Sequence, residues 1–176
     1  MVAFEVLPGL PPYGPMAKSF SETGQGTHRE GFVVRFGVDQ TEPWVGNFQP
    51  GLTEFSGAYA HPDERHVVVV SGGDVYVVDP ESRNAVAEFG GMVNSVLAIA
   101  GERALLFEET LWLRLLTAEG IRWKTKRISW DGIRNLSVVD DAIIGEAWSI
   151  EDTWHPFKVD ISSGRVEGGA YNGPEP

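Results

Sequence analysis

The stretch from His66 to Asp79, HVVVVSGGDVYVVD, constrains the fold of this chain more than any other. Two runs of β-branched residues flank Gly72 and Gly73, a pair that adopts the positive φ angles of a two-residue hairpin turn. Val67 to Val70 do not alternate with polar residues, so both faces of that strand are expected to be covered. The stretch therefore predicts a buried β-hairpin with a further layer on each side.

Short strand patterns separated by turn sequences recur along the rest of the chain. Second strands centred near Val69, Leu106 and Gly145 are about 37 and 39 residues apart, a period typical of four-stranded β-propeller blades. We therefore predict an all-β fold with about three repeated four-stranded antiparallel units, arranged as a propeller-blade-like stack or a partial propeller. A β-sandwich or barrel is the alternative.

At 176 residues, one all-β domain is the expected organisation. Its predicted segments are an extended N-terminal strap (1–29), a hairpin (30–51), three units (52–91, 92–132 and 133–171) and a tail (172–176). Prolines and glycines in the strap disfavour a helix. Its apolar residues are expected to dock on the body of the domain: Phe4, Val6, Leu7, Leu10 and Tyr13.

Composition and charge exclude several classes of function. With 25 Asp and Glu against 14 Lys and Arg, the net charge of -11 disfavours a nucleic-acid ligand. The chain has no cysteine, which excludes disulfides and thiolate metal sites. Because no signal-peptide pattern and no apolar run of about 20 residues is present, we expect a cytoplasmic protein that does not enter the membrane. It is expected to be a monomer or a homodimer.

Motifs for nucleophilic elbows, phosphate loops, zinc proteases and dinucleotide binding are missing from the sequence. We therefore predict no catalytic residues, no cofactor and no metal site. His61, Asp63 and His66 were the most plausible group of divalent-metal ligands. The favoured interpretation is nevertheless a surface turn, in which Pro62 and Asp63 set the bend.

The most plausible binding residues surround the third unit. Six tryptophans are many for a chain of this size, and those at strand ends or in loops are the best candidates for exposed contacts. Facing each other across a hairpin, Glu146 and His155 would form a pair that raises the His pKa and could transfer protons. The favoured interpretation of this region is nevertheless a packed or interface aromatic cluster, ahead of a binding cleft and of a catalytic pair. The predicted binding residues are Trp130, Glu146, Trp148, Trp154 and His155.

The landmarks LPPYGP, WVGNF, RISWDG, GEAW and WHPFKVD extend along nearly the whole chain. With them the sequence resembles a family of uncharacterised bacterial proteins. The resemblance implies a soluble bacterial protein and brings no catalytic or ligand-binding residues with it.

These observations favour a non-catalytic protein-binding module over an enzyme. An acidic chain of this size would suit an immunity-type inhibitor that neutralises a basic partner. The alternative is a small-ligand binder or hydrolase-like enzyme that uses the region of Glu146, Trp148, Trp154 and His155. A structural subunit that pairs through its sheet edges is a third possibility.

Overall fold

The computed structural model describes residues 2–39 and 42–174. Within them, sixteen strands form four four-stranded sheets, and one short 3-10 helix spans Ala100–Glu102. The prediction of an all-β fold with repeated four-stranded units is confirmed. Each sheet keeps two edge strands, so none of the four closes on itself. No helix in the described part of the chain is long and apolar enough to cross a bilayer.

The chain divides into two compact units, one up to Asn94 and one from Ser95 onward. We call these two compact parts unit 1 and unit 2; they are distinct from the three four-stranded units predicted from the sequence. The assignment of the whole chain to one domain stays a prediction. The strands of unit 1 are β1 (Phe4–Leu7), β2 (Lys18–Phe20), β3 (Phe32–Phe36), β4 (Trp44–Phe48), β5 (Gly57–Ala60), β6 (Val67–Ser71), β7 (Asp74–Asp79) and β8 (Asn84–Gly90). They form two sheets, with strand orders β1-β3-β4-β2 and β5-β6-β7-β8.

The predicted central hairpin is formed by β6 and β7. Gly72 and Gly73 connect the two strands with φ angles of 53° and 90°, the left-handed conformation that a two-residue turn of this kind requires. All four valines of β6 are fully buried. The continuous apolar run therefore marks a strand covered on both faces, as the sequence predicted.

The N-terminal segment, expected only as an extended strap, contributes two strands to the first sheet. β1 pairs antiparallel with β3 at one edge, and β2 pairs parallel with β4 at the other. Phe4 and Phe20 pack on the core of unit 1. Val6, Leu10 and Tyr13 do not dock as expected: they are exposed, Tyr13 at 90%. The prolines that separate the two strands keep the backbone of Leu10 and Tyr13 out of the sheet, which leaves those side chains in solvent. Val6 lies in β1, at the edge of the sheet, with its side chain in solvent.

Unit 2 contains two antiparallel sheets in which consecutive strands pair. Its strands are β9 (Ser95–Ile99), β10 (Ala104–Glu108), β11 (Leu113–Thr117), β12 (Gly120–Lys124), β13 (Ile133–Val139), β14 (Ala142–Trp148), β15 (Trp154–Asp160) and β16 (Val166–Gly168). The three predicted four-stranded units coincide with the sheets β5–β8, β9–β12 and β13–β16.

Each unit has its own hydrophobic core. Large buried members of the unit 1 core are Val34, Phe36, Phe48, Val69 and Tyr76. Those of the unit 2 core are Leu106, Leu113, Leu115, Ile143 and Phe157. Both cores are built from side chains of the two sheets in that unit, so the sheets pack on one another through apolar surface.

Within each unit, one tryptophan also joins the two sheets by a hydrogen bond. The indole Nε1–H of Trp44 in β4 donates to the carbonyl of Pro80, 3.0 Å away, in the turn after β7. The indole Nε1–H of Trp123 in β12 donates to the carbonyl of Ile161, 2.8 Å away, in the turn after β15. We call these two contacts the indole bridges; they explain two of the six tryptophans as sheet-packing residues.

Candidate protein-binding surface

Trp130 lies in the loop between β12 and β13, which backbone hydrogen bonds attach to the end of β14. Its N–H donates to the carbonyl of Trp148 (3.0 Å), and the N–H of Trp148 donates to the carbonyl of Gly132 (3.0 Å). The buried hydroxyl of Ser129 donates to the carbonyls of Gly132 and Trp148. The loop is thus held at Ser129, Trp130 and Gly132, while the side chain of Trp130 stays half-buried.

Arg127 is held against this loop by both hydrogen bonds and ring contacts. Its guanidinium donates to the carbonyls of Ser129 and Trp130, each at 2.9 Å. The guanidinium carbon lies 4.3 Å from the ring centre of Tyr171 and 5.2 Å from that of Trp130. The two rings are themselves 4.7 Å apart. An arginine, a tryptophan and a tyrosine therefore form one fixed cluster.

A second arginine–tryptophan pair lies on the sheet β13–β16. The guanidinium carbon of Arg134 is 4.0 Å from the ring centre of Trp154. Its Nε–H donates to Oε2 of Glu146 at 3.0 Å, and Asn135 donates to the same oxygen at 2.6 Å. Hydrogen bonds from Asn135 and Arg134 lower the pKa of Glu146, so this carboxylate stays ionised and orients the arginine over the indole.

The loop that carries Trp130 also contacts Trp154. Gly132 follows Trp130 by two residues, and a Cβ added to it would lie 3.6 Å from the outer edge of the Trp154 ring. We call Arg127, Trp130, Arg134, Trp154 and Tyr171 the tryptophan–arginine surface. Among the described residues, no hydrogen-bond acceptor is recorded for the indole N–H of Trp130 or of Trp154. Both indoles therefore present a donor that this part of the chain leaves unused.

The remaining predicted binding residues are located close to this surface but have other contacts. Trp148 lies opposite Trp154 on β14, and its indole N–H donates to Asp152 at 3.2 Å. His155 is exposed, and its Nε2 lies 3.0 Å from the hydroxyl of Thr153. The structure thus brings together Trp130, Trp148 and Trp154, whereas His155 is attached to the neighbouring turn.

The predicted facing of Glu146 and His155 is wrong. The register of β14 and β15 places Glu146 opposite Pro156, and His155 opposite Ala147. Successive side chains of a strand point to opposite faces, so a shift of one residue separates two groups that were expected to meet. Glu146 instead accepts hydrogen bonds from Arg134 and Asn135. The proton-transfer pair that motivated a hydrolase-like site is therefore not formed.

Sequence reasoning missed the arginines and Tyr171 as members of the surface. Arg127 follows a run of exposed basic residues, of which Arg122 and Lys124 lie on β12 and Lys126 lies just after it. Tyr171 is 44 positions away from Arg127 in the sequence, and no periodic pattern links two such residues. The only local signal is the interleaving of aromatic and basic residues between positions 122 and 134.

Two carboxyl groups, those of Glu22 and Asp74, line a cleft of about 640 Å³ in unit 1. Burial, together with the neighbouring carboxyl of Glu22, raises the pKa of Asp74 to about 6. Tyr76 lines the same cleft, and its hydroxyl donates to the carbonyl of Gln49 at 3.0 Å. Asp74 therefore titrates at a pH well above that of an ordinary aspartate, and its sequence context, the first residue after a Gly-Gly turn, gave no sign of this.

The histidines predicted to lie in a surface turn have different environments. His61 is 5% exposed, which corrects the surface interpretation for this residue, whereas His66 is partly exposed. Burial lowers the pKa of His61. Burial acts to raise the pKa of Asp63, but hydrogen bonds from the backbone N–H groups of His66 and Arg65 outweigh it and hold that pKa well below its usual range. The turn thus combines a neutral imidazole with an ionised carboxylate.

Comparison with known proteins gives no assignment. No protein-family model matches the chain, and no curated protein does. Among solved structures, a crystal structure of the eukaryotic initiation factor is similar at 11% sequence identity with a TM-score of 0.44. The match covers 80% of this chain and 40% of that chain, so the chain spans less than half the length of the protein it resembles.

Proposed function

We propose that this chain is a non-catalytic protein-binding module that uses the tryptophan–arginine surface as its contact site. The observation that carries the proposal is the pair of partly exposed indoles, Trp130 and Trp154, each with a fixed arginine at cation–π distance from its ring and each with an unused N–H donor. Tryptophan, tyrosine and arginine are the residue types that dominate binding energy in protein interfaces.

The arrangement of this surface supports binding without a large entropic cost. Arg127 is fixed by two carbonyls and Arg134 by the Glu146 carboxylate. Side chains that are already ordered before a partner arrives lose little rotamer freedom on binding. A surface of this kind favours a partner that presents apolar area together with hydrogen-bond acceptors for the two indoles.

The charge of the chain supports a basic partner. A net charge of -11 attracts a positively charged protein over distances beyond direct contact and accelerates its association. We infer that the partner is basic and that the chain inhibits it, in the manner of an immunity protein that neutralises a toxin. The resemblance to a bacterial family supports a bacterial, cytoplasmic setting for such a pair.

The alternative function, a small-ligand binder or hydrolase-like enzyme, has less support. It requires Glu146, Trp148, Trp154 and His155 to converge on a reacting group. Glu146 is instead the acceptor of two side-chain donors, and the exposed His155 lies at hydrogen-bond distance from Thr153, just before β15. These contacts support structural roles for both residues.

Affinity capture with matched variants tests the proposal. The tagged wild type, the double variant Trp130→Ala/Trp154→Ala and the control Ile121→Ala are each incubated with lysate of the host cell, and retained proteins are quantified by mass spectrometry. Ile121 is an exposed apolar residue of unit 2 outside the tryptophan–arginine surface, so its loss removes apolar area elsewhere. We expect one stoichiometric protein that the wild type and Ile121→Ala retain and the double variant loses.

Raised salt separates the two parts of the proposal. A basic partner is expected to associate more slowly as salt rises, because screening removes long-range attraction, while the aromatic contacts persist. Equal retention by all three proteins would show that the contact site lies elsewhere. A column that retains nothing beyond the tag-only control would count against a protein-binding function altogether. Circular dichroism of each variant verifies that the fold is intact.

A further inference from the structure

The turn between β5 and β6 brings two imidazoles to one carboxylate. His61 follows the last residue of β5 and His66 precedes the first residue of β6, and the N–H of His61 donates to the carbonyl of His66 at 3.1 Å. Asp63 lies between them in the turn. Its Oδ1 is 3.0 Å from Nδ1 of His61, and its Oδ2 is 2.6 Å from Nδ1 of His66.

Hydrogen bonds from the backbone hold the ligand atoms of His61 and Asp63 in place. Nδ1 of His61 accepts the backbone N–H of Asp63 at 3.2 Å, so this nitrogen presents its lone pair. Oδ1 of Asp63 accepts the N–H groups of Arg65 and His66, at 2.8 and 3.0 Å. Nδ1 of His61 and Oδ1 of Asp63 lie 3.0 Å apart. Both are ligand atoms, and a cation shared between them would be attracted to each.

We propose that His61, Asp63 and His66 form a binding site for one divalent transition-metal ion of the Zn²⁺ type. One ligand atom from each residue lies within 4.8 Å of the other two. Ligands at about 2.0–2.2 Å from a shared Zn²⁺ lie roughly 3–4 Å from one another, so side-chain rotations that change the present separations by up to about 1 Å close the site. Two imidazoles and a carboxylate suit Zn²⁺ and neighbouring transition ions and are a poor set for Mg²⁺ or Ca²⁺.

The site is held in place by the fold around it. His61 is 5% exposed, and its ring meets that of His66 edge-on with 5.7 Å between ring centres. Directly after His66, the fully buried strand β6 anchors one side of the turn. A metal ion bound here would close the base of the β5–β6 connection, and the three ligands would lose little freedom on binding.

An entry path for the ion is present on the side of His66. This histidine lines a cleft of about 520 Å³ in unit 1. The described lining of the cleft carries five carboxylates and two guanidiniums: those of Asp39, Glu42, Glu64, Asp79 and Glu81, and those of Arg65 and Arg83. The excess of carboxylates creates a negative potential that draws cations toward His66, and water from the cleft can complete the coordination that three protein ligands leave open.

Metal titration of the full chain tests the site. The protein is prepared without a polyhistidine tag, stripped with a chelator and titrated with Zn²⁺ by calorimetry, with Mg²⁺ and Ca²⁺ as comparison ions. We expect one Zn²⁺ per chain, no measurable binding of Mg²⁺ or Ca²⁺, and an increase in thermal stability with Zn²⁺. Co²⁺ provides a second readout, because its absorption bands report the ligand set directly.

Four variants distinguish this site from adventitious binding to surface histidines. His66→Gln and Asp63→Asn should each weaken Zn²⁺ binding by at least about tenfold, since each removes one of three ligands. The controls His28→Gln and His155→Gln alter exposed histidines outside the cluster and should bind as the wild type does. Circular dichroism without metal confirms that each variant is folded.

Two results would overturn the proposal. The first is a wild type that shows no saturable one-to-one binding of Zn²⁺, in which case the turn is a hydrogen-bonded structural element. The second is binding that survives both His66→Gln and Asp63→Asn, which would locate the ion elsewhere. His61→Ala is a further variant, and if it does not fold, the other two substitutions still decide the question.

Discussion

Asp74 is a carboxyl group whose protonation is coupled to folding. Its pKa rises from 3.8 to about 6 in the folded protein, first because of burial and then because of Glu22. Between about pH 4 and pH 6, the folded state therefore holds a proton that the unfolded chain releases. The stability associated with this proton is fully present below about pH 4 and is lost as the pH rises through 6.

Urea unfolding of the wild type and Asp74→Asn between about pH 4 and pH 7 measures this effect. Relative to the variant, the wild type should lose unfolding free energy of the order of 1–3 kcal/mol across that range. Asp131→Asn, at an exposed position, is the control and should follow the wild type. If the difference between wild type and Asp74→Asn does not change with pH, folding does not alter the protonation of Asp74.

Gly164 is a glycine that the structure requires for two reasons. Its φ is +70°, and a Cβ there would lie 2.8 Å from the ring of Trp123. We expect Gly164→Ala to lower the free energy of unfolding by about 1–3 kcal/mol, through backbone strain and displacement of the indole. Gly101→Ala is the matched control, because Gly101 has no atom within 4 Å of its Cβ position and no positive φ. Chemical denaturation of both variants checks the prediction, and equal stability would contradict it.

Single residues were predictable where their role is local. Gly72 and Gly73 were identified as a turn because glycine accepts positive φ. Asp79 and Asp160 are of the residue type that caps turns, and each accepts a backbone N–H from its own turn, from Glu81 and Ser163. The pairing of Glu146 with Arg134 was not predictable, since it depends on a strand register that composition does not determine.

The indole bridges are expected to stabilise each unit by joining its two sheets. Trp123→Phe keeps the aromatic packing but removes the donor to Ile161, which leaves a carbonyl unpaired. We expect a loss of about 1–3 kcal/mol in unfolding free energy, and the same for Trp44→Phe. Trp148→Phe is the control, because its indole N–H bonds to an exposed carboxylate and should matter less. Thermal or urea unfolding compares the three variants, and equal losses would show that the bridges add nothing beyond ring packing.

The sequence revealed three of the four sheets because their strands are consecutive and their turns are marked by glycine, aspartate and serine. The first sheet was recognised only as the hairpin of β3 and β4. Its outer strands, β1 and β2, have four and three residues, too few to show an alternating pattern. β1 and β2 also pair with strands distant in the sequence, β3 and β4, and a local sequence pattern does not indicate such pairings.

The excess of negative charge predicts how the thermal stability of the entire molecule depends on salt. At a net charge of -11, self-repulsion opposes compactness, and salt screens it. Exposed ion pairs such as Arg35–Glu5 and Arg165–Glu167 contribute only about 0–1 kcal/mol each, so their screening should matter less. We expect the Tm to rise as NaCl increases from about 10 to about 150 mM. Differential scanning calorimetry measures the trend, and a falling Tm would show that attractive pairs dominate.

The strand order of the first sheet affects how the chain acquires structure during synthesis. β2 ends at Phe20 but pairs with β4, which ends at Phe48. The pairing can therefore be completed only after 28 further residues have been synthesised. At about 5–20 residues per second, this nascent segment spends seconds without its partner strand. The prolines between β1 and β2 cannot donate to a ladder, and they protect the waiting segment from pairing with another nascent chain.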